Sequence, residues 1–388
     1  MKKSRAQFCE VIDRHRIILC VGAGGVGKTT TTASIGLYAA QRGKRALCLT
    51  IDPARRLAQS LGLDATQADA QRVSPKCFEQ AGMRVDGSLT VMMLNTKDTF
   101  DELVRRYAAN EQVRDAILNN RIYHYVSTAL SGTRDYMAIE KLHNVKDDPS
   151  YDLIVLDTPP TSHAIDFLEA PERMIDAMNN SAAQWIMRAA RATTHLSFDL
   201  LARSAAIGLR AMERITGAGF MSQVAELLGY VDDMFGGVER RARHVQQSLR
   251  AKDVAYVLVT SPNPAAIEEV LYFAHMLDEI GLKSHAFVVN SVHQGPTKVP
   301  SEAALRASFP RGQQLGDSLV HRMLQAIEDE ALLAARSKVA LRQFEKTLHE
   351  RYAQAAQVIV PEYSRDVHDL RALQHIVDVM RDGNGAVE

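Results

Sequence analysis

Residues 22–29 read Gly22-Ala23-Gly24-Gly25-Val26-Gly27-Lys28-Thr29. A glycine, four intervening positions and then Gly-Lys-Thr is the spacing of a loop that cradles phosphate groups. The glycines leave backbone N–H groups free to turn inward around an anion, where side chains would block them. A helix beginning near Gly27 adds the positive end of its dipole behind the phosphates. In such a loop Lys28 reaches the β- and γ-phosphates and the Thr29 hydroxyl sits on Mg²⁺. Gly24, Gly25, Val26, Gly27 and Thr30 complete the candidate binding set. The ligand class is a nucleoside triphosphate with Mg²⁺.

Two acids stand where they serve the same ligand. Ile51-Asp52-Pro53-Ala54 closes one apolar run, and Val155-Leu156-Asp157-Thr158-Pro159-Pro160 closes another. An aspartate at a strand tip beside a phosphate loop can hold Mg²⁺, directly or through water, or orient the attacking water. Thr29, Asp52 and Asp157 are therefore the candidate metal residues, and Lys28 and Asp52 the candidate catalytic ones. Asp-Pro also starts ordinary turns, so Asp52 alone leaves both readings open.

Positioning these residues requires strands and helices in alternation. Apolar, β-suited runs recur at 17–21, 45–51, 89–94, 153–157, 254–260, 285–290 and 357–360. Most are continuous rather than alternating, as when both faces of a strand are covered. Helical stretches separate them, which predicts an α/β fold with a doubly wound, mostly parallel sheet. Two long helical stretches interrupt that rhythm. The expected division is a core over 1–96, 147–170 and 251–381, with an inserted helical subdomain over 97–146 and 171–250 and a frayed tail over 382–388. Gln294 to Gly316, with Pro296, Pro300 and Pro310, reads as a flexible loop.

Composition narrows the class. The 388 residues are 46% apolar and 24% charged, with 46 basic against 46 acidic side chains. That balance lacks the basic footprint of a nucleic-acid binder. Lys2, Lys3 and Arg5 superficially resemble a secretory leader, but Glu10, Asp13, Arg14 and Arg16 interrupt any apolar core behind them. No uncharged apolar run approaches the ~18–20 residues that cross a bilayer, and a cytoplasmic protein is expected. Cys9, Cys20, Cys48 and Cys77 show no Cys-x-x-Cys spacing. Cys20 and Cys48 fall inside predicted strands, where a thiol behaves as a small hydrophobe.

Gly22 to Thr30, Leu49-Thr50-Ile51-Asp52-Pro53-Ala54 and Asp157-Thr158-Pro159-Pro160-Thr161-Ser162-His163, in that order, resemble the ArsA-type ATPases, a P-loop family with a deviant Walker A loop. That family holds the arsenite-pump ATPase and the guided-entry ATPase of tail-anchored membrane proteins. The resemblance covers roughly residues 15–375 and is to the bacterial, single-domain branch in particular. It implies ATP and ADP as ligands with Mg²⁺, hydrolysis at a dimer interface, and a conformational cycle acting on a protein or membrane partner. Asp52 would position or activate the water, Asp157 would support Mg²⁺, and Thr158 to His163 would sense the γ-phosphate. Val288-Val289-Asn290 is similar to the strand-end asparagine that reads adenine, and Pro361 resembles the loop closing over the base.

The chain also departs from the family pattern. Relatives usually carry a first lysine that reaches the partner's nucleotide across a dimer, and here that position is Ala23. Arg55, Arg56 or a lysine-bearing paralogue in a heterodimer could replace it; otherwise the protein is a slow, nucleotide-gated scaffold, in homodimeric form or not. No Cys-x-x-Cys is present for zinc and no thiol cluster for arsenite, so neither ligand is expected. Within 171–235, Met174, Met178, Met187, Met212, Met221 and Met234 cluster with Trp185 and Phe198. In the targeting relatives such helices cradle a hydrophobic client helix, and methionine surfaces adapt to varied apolar partners. The same pattern also suits helices covering their own core. Partitioning and division-site ATPases are a further likeness, but Leu370 to Met380 is too short and mixed for their membrane helix.

Overall fold

The structure is a computed structural model and describes residues 2–51, 61, 63, 69–129, 131–160, 164–179, 220–296, 298–309, 316–363, 367 and 369–382. Asp52, Arg55, Arg56 and Thr161 to His163 lie outside the described residues. So do Trp185, Met187, Phe198 and Met212, and the side chains of Met174, Met178, Met221 and Met234. The chain forms two compact units, one of Met1–Met92, Ser150–Ala164 and Lys252–Glu388, the other of Met93–Pro149 and Ile165–Ala251.

The first unit is built on eight strands: β1 (Ile17–Gly22), β2 (Arg45–Thr50), β3 (Gln71–Arg72), β4 (Ser88–Met93), β5 (Leu153–Pro160), β6 (Val254–Thr260), β7 (Ser284–Val292) and β8 (Ala356–Pro361). Their order across the sheet is β3-β4-β2-β5-β1-β6-β7-β8. β1 runs parallel to both β5 and β6, β2 parallel to β5, and β7 parallel to β6 and β8. β3 and β4 pair antiparallel at one edge of the sheet. β1 and β6 are buried along their whole length, which explains why these strands read as unbroken apolar runs. β3 escapes sequence detection because it is two polar residues long. β1 is the switch point of the winding, with β5 on one side and β6 on the other, and ligands of such sheets bind at that place on the carboxyl edge.

The helix Lys28–Gln41 returns from β1 across the sheet and buries Ile35, Leu37, Ala39 and Ala40 in the core. Gly36 lets it lie close: a Cβ there would stand 2.4 Å from Cys48 Sγ and 2.9 Å from Leu89 Cδ1. Leu370–Arg381 lays Leu373, Ile376, Val377 and Met380 into the same core. The stretch expected to be a loop contains the helix Glu302–Ala307, so that expectation is corrected. Its start is fixed by the Ser301 hydroxyl, which accepts from Ala304 N at 3.3 Å, and neighbouring prolines obscured a helix of only six residues.

The second unit is helical: Thr96–Tyr107, Glu111–Asn119, Arg121–Ala129, Ser131–Lys146, Ala164–Asn179 and Phe220–Leu249. Asn95 and Asn110 cap two of these starts through Asp98 N and Val113 N. Val104, Ile117, Tyr123 and Leu227 form an apolar centre. Beside it, Glu140 is fully buried and takes Arg241 Nε at 2.8 Å, with Arg241 also bonded to Asn144. A buried carboxylate is tolerated only when so paired.

Candidate functional site

The phosphate loop follows β1 because Gly22 sits directly under β6. A Cβ on Gly22 would stand 2.0 Å from Val259 O, so only glycine lets the chain leave the sheet there. Gly25 and Gly27 take φ of 76° and 95°, the left-handed region that turns successive amides to one side. Gly27 is the N-cap of the helix Lys28–Gln41, and Thr31 N already donates to its carbonyl at 2.9 Å. The amides at that helix start carry the positive end of the dipole toward the loop.

Lys28 is buried and its Nζ donates to Gly22 O at 2.9 Å and Ala23 O at 2.8 Å. The ammonium therefore lies within the curl of the loop, held by the loop's own carbonyls. Ala23 and Val26 point their side chains into the core rather than outward.

Asp157 is 2% exposed and accepts from Thr29 Oγ1 at 2.7 Å and Thr50 Oγ1 at 3.1 Å. Sheet register makes this meeting possible. Asp157 stands opposite Cys20 on β1 and opposite Thr50 on β2, between the two strands that lead to the loop and to Asp52. A hydroxyl from a helix start and a carboxylate from a neighbouring strand are hard oxygen donors of the kind Mg²⁺ takes, so Thr29 and Asp157 fit such an ion. Among the described residues no group of three or more His, Cys, Asp or Glu side chains is placed to hold a metal. Thr158 Oγ1 donates to Cys20 O at 2.8 Å, tying the residue after Asp157 back to β1. Burial, helped by the nearby Asp157 charge, pushes the Cys20 thiol up to about 12, which leaves it an apolar neighbour rather than a nucleophile.

The site has a second side. Asn290 ends the regular part of β7, and its Nδ2 donates to Val26 O at 3.0 Å, inside the phosphate loop. A Cβ on Gly27 would stand 2.1 Å from that nitrogen. Pro361 is buried at the end of β8, paired with Val292. Lys28, Thr29, Asp157 and Asn290 are thus brought to one edge of one sheet, with Pro361 three strands from β1.

Two features escape sequence reasoning. Thr50 becomes a partner of Asp157, and its only signal was a hydroxyl two positions before Asp52 at the close of an apolar run. The contact of Asn290 with Val26 joins residues 264 positions apart and has no local signature.

The chain matches the family model for anion-transporting ATPases over residues 15–302. It is similar to ATPase ASNA1 homolog 1 of Paramecium tetraurelia, 31% identical over 165 residues that cover 41% of this chain and 44% of that protein. ATPase GET3 of Malassezia globosa is 22% identical over 319 residues, 81% of this chain and 82% of that protein. An arsenical pump-driving ATPase of Aquifex aeolicus is 26% identical over 184 residues, 46% of this chain and 44% of the relative. The match thus spans less than half the length of the Paramecium and Aquifex relatives.

Proposed function

This chain belongs to the anion-transporting ATPase family, and from that premise we propose that it binds Mg-ATP at the carboxyl edge of its sheet and hydrolyses it slowly to drive a conformational cycle. The observation that carries the reading is that the helix start holding Lys28 and Thr29 meets both the loop carbonyls and the Asp157 carboxylate of β5. Loop amides from Gly24 to Thr30 grip the phosphates, and Lys28 moves its ammonium from loop carbonyls onto phosphate oxygens. Thr29 and Asp157 would hold Mg²⁺, which would supply positive charge that offsets charge developing at the leaving group. Asp52, one residue beyond the Ile51 amide that donates to Asp157 O at 3.4 Å, orients the attacking water. Asn290 and Pro361 receive adenine.

Hydrolysis removes the γ-phosphate that the segments after Asp52 and Asp157 sense, and the resulting change alters affinity for a protein or membrane partner. A partner of apolar, helical character suits the methionine cluster of 171–235. The active form is a dimer, either of two copies or with a lysine-bearing paralogue, in the cytoplasm. Among the described residues no helix is long and apolar enough to cross a membrane.

A second reading is favoured by Ala23. Its methyl lies in the core, so the loop presents no second cation toward a neighbouring nucleotide. A cation supplied across an interface is worth ~10³–10⁵ in rate, about 4–7 kcal/mol of barrier. Without one the protein is a nucleotide-gated scaffold. Calorimetry with Mg-ATP and Mg-ADP, followed by phosphate release alone and with candidate paralogues, separates these readings. Absence of magnesium-dependent affinity for either nucleotide overturns both. In Lys28→Ala nucleotide affinity falls, whereas Asp52→Asn binds normally and loses turnover. Unchanged turnover in Asp52→Asn removes the water-orienting role.

A further inference from the structure

The base-side edge of the sheet holds a side-chain cluster that phosphate binding does not use. Beyond Asn290, Ser291 takes φ of 58°, and the pairing of β7 with β8 shifts between Val289 and Val292. A left-handed serine is strained and persists only where its surroundings hold it. On one side Val292 pairs with Pro361, and Glu362 N donates to Val292 O at 3.0 Å. On the other, His293 Nδ1 lies 2.8 Å from Glu362 Oε2 and 3.7 Å from Glu330 Oε2. The imidazole therefore joins the residue three beyond Asn290 to the residue directly after Pro361.

Glu330 comes from the 35-residue helix Asp317–Arg351, which runs antiparallel to β7. The Phe344 ring lies 5.8 Å from that of Phe287 inside the sheet. Gly295, past the end of β7, packs so tightly on the helix that a Cβ would stand 2.6 Å from Glu330 O. At 1.5 Å per residue, residues 317–329 continue roughly 20 Å beyond this point. His293 stands where the helix leaves the sheet, between two carboxylates from different elements.

We propose that His293 is a positioning residue for the nucleotide base. With Glu362 it fastens the end of β7 to the end of β8, and so holds Asn290 and the Pro361 segment at one spacing across the purine. The inference rests on the reading of this edge as an ATP site with Asn290 and Pro361 on its base side. Both side chains of the pair are partly exposed, at 30% and 43%. A pair of that exposure is worth at most ~1 kcal/mol, which caps the effect at about fivefold in affinity.

The test compares Mg-ATP with magnesium tripolyphosphate, which has the phosphates and lacks the base. Calorimetry on the full chain covers the wild type, His293→Ala, Glu362→Gln, the double variant and His293→Asn, whose amide nitrogen can stand in for Nδ1. The expected result is a measurable loss of ATP affinity, up to about fivefold, in either single variant, no further loss in the double variant, and unchanged tripolyphosphate affinity. His293→Asn recovers most of the loss. Equal losses for both ligands, additive losses, or no loss for ATP overturn the proposal. If His293→Ala does not fold, Glu362→Gln and His293→Asn decide it. A wild type that binds neither ligand sinks the ATP-site reading itself, whereas one that binds both with equal affinity sinks only the role of the base side.

Discussion

The Thr29 hydroxyl donates to Asp157 at 2.7 Å, joining the first turn of a helix to a strand residue 128 positions later. Thr50 reaches the same carboxylate oxygen at 3.1 Å, so three segments of the chain meet on one group. A buried carboxylate with two hydroxyl donors keeps a fixed direction, and a metal site needs that rigidity.

Thr29→Ala is expected to reduce the difference between nucleotide affinities with and without Mg²⁺, by about tenfold or more, since bonds to charged groups are worth ~1.5–3 kcal/mol. Affinity in the presence of a chelator should hardly change. Calorimetry with and without the ion checks this. An equal loss in both conditions would assign Thr29 to the loop's shape rather than to the metal.

Gly27→Ala should destroy the loop. Its φ of 95° is strained for alanine, and the new methyl carbon would meet Asn290 Nδ2 at 2.1 Å. A stability loss of about 2–4 kcal/mol follows from strain and overpacking together. Adding Asn290→Ala relieves the clash and not the backbone strain, so thermal melting should show partial recovery only.

Ala23→Lys tests the missing cation. The native methyl lies in the core, so a lysine must swing outward at some loss of stability. If two copies face one another across their nucleotides, steady-state phosphate release rises by tenfold or more and depends on protein concentration. No rise at any concentration removes the symmetric dimer as the hydrolysing form.

His285 supplies a pH dependence. Burial, with a smaller push from His15, lowers its imidazole from 6.5 to about 4. Tyr256 N donates to its Nδ1 at 3.2 Å, a bond that only the neutral ring accepts. The folded state favours the neutral form, so its stability is fully present above about 6.5 and is lost as pH falls toward 4. Discounted for the ring's partial exposure to solvent, chemical denaturation should register about 1–2 kcal/mol less stability at pH 4.5 than at pH 7 from this group. His285→Gln should flatten that part of the profile. An unchanged slope would place the acid sensitivity elsewhere.

Much of the fold was legible in the chain because its signals are local. Ile17–Val21 and Val254–Thr260 read as covered strands since the sheet buries both of their faces. The Gly-rich turn and the helix after it read correctly because φ at Gly25 and Gly27 has a residue-type signature. Glu302–Ala307 was hidden because one hydroxyl cap sets a single turn and a half of helix among prolines. β3 was hidden because two polar residues carry no period.

The left-handed glycines of the loop after β1 and the parallel character of the sheet follow from residue type and spacing, since each depends on backbone freedom or on burial along one short segment. Tertiary structure alone decided which strand ends became neighbours. Register set Asp157 between Cys20 and Thr50, crossed Asn290 onto Val26, and drew His293 to Glu362. Those contacts form between segments whose separation in the chain leaves no periodic trace, and only the winding order of the strands brings them within a hydrogen bond.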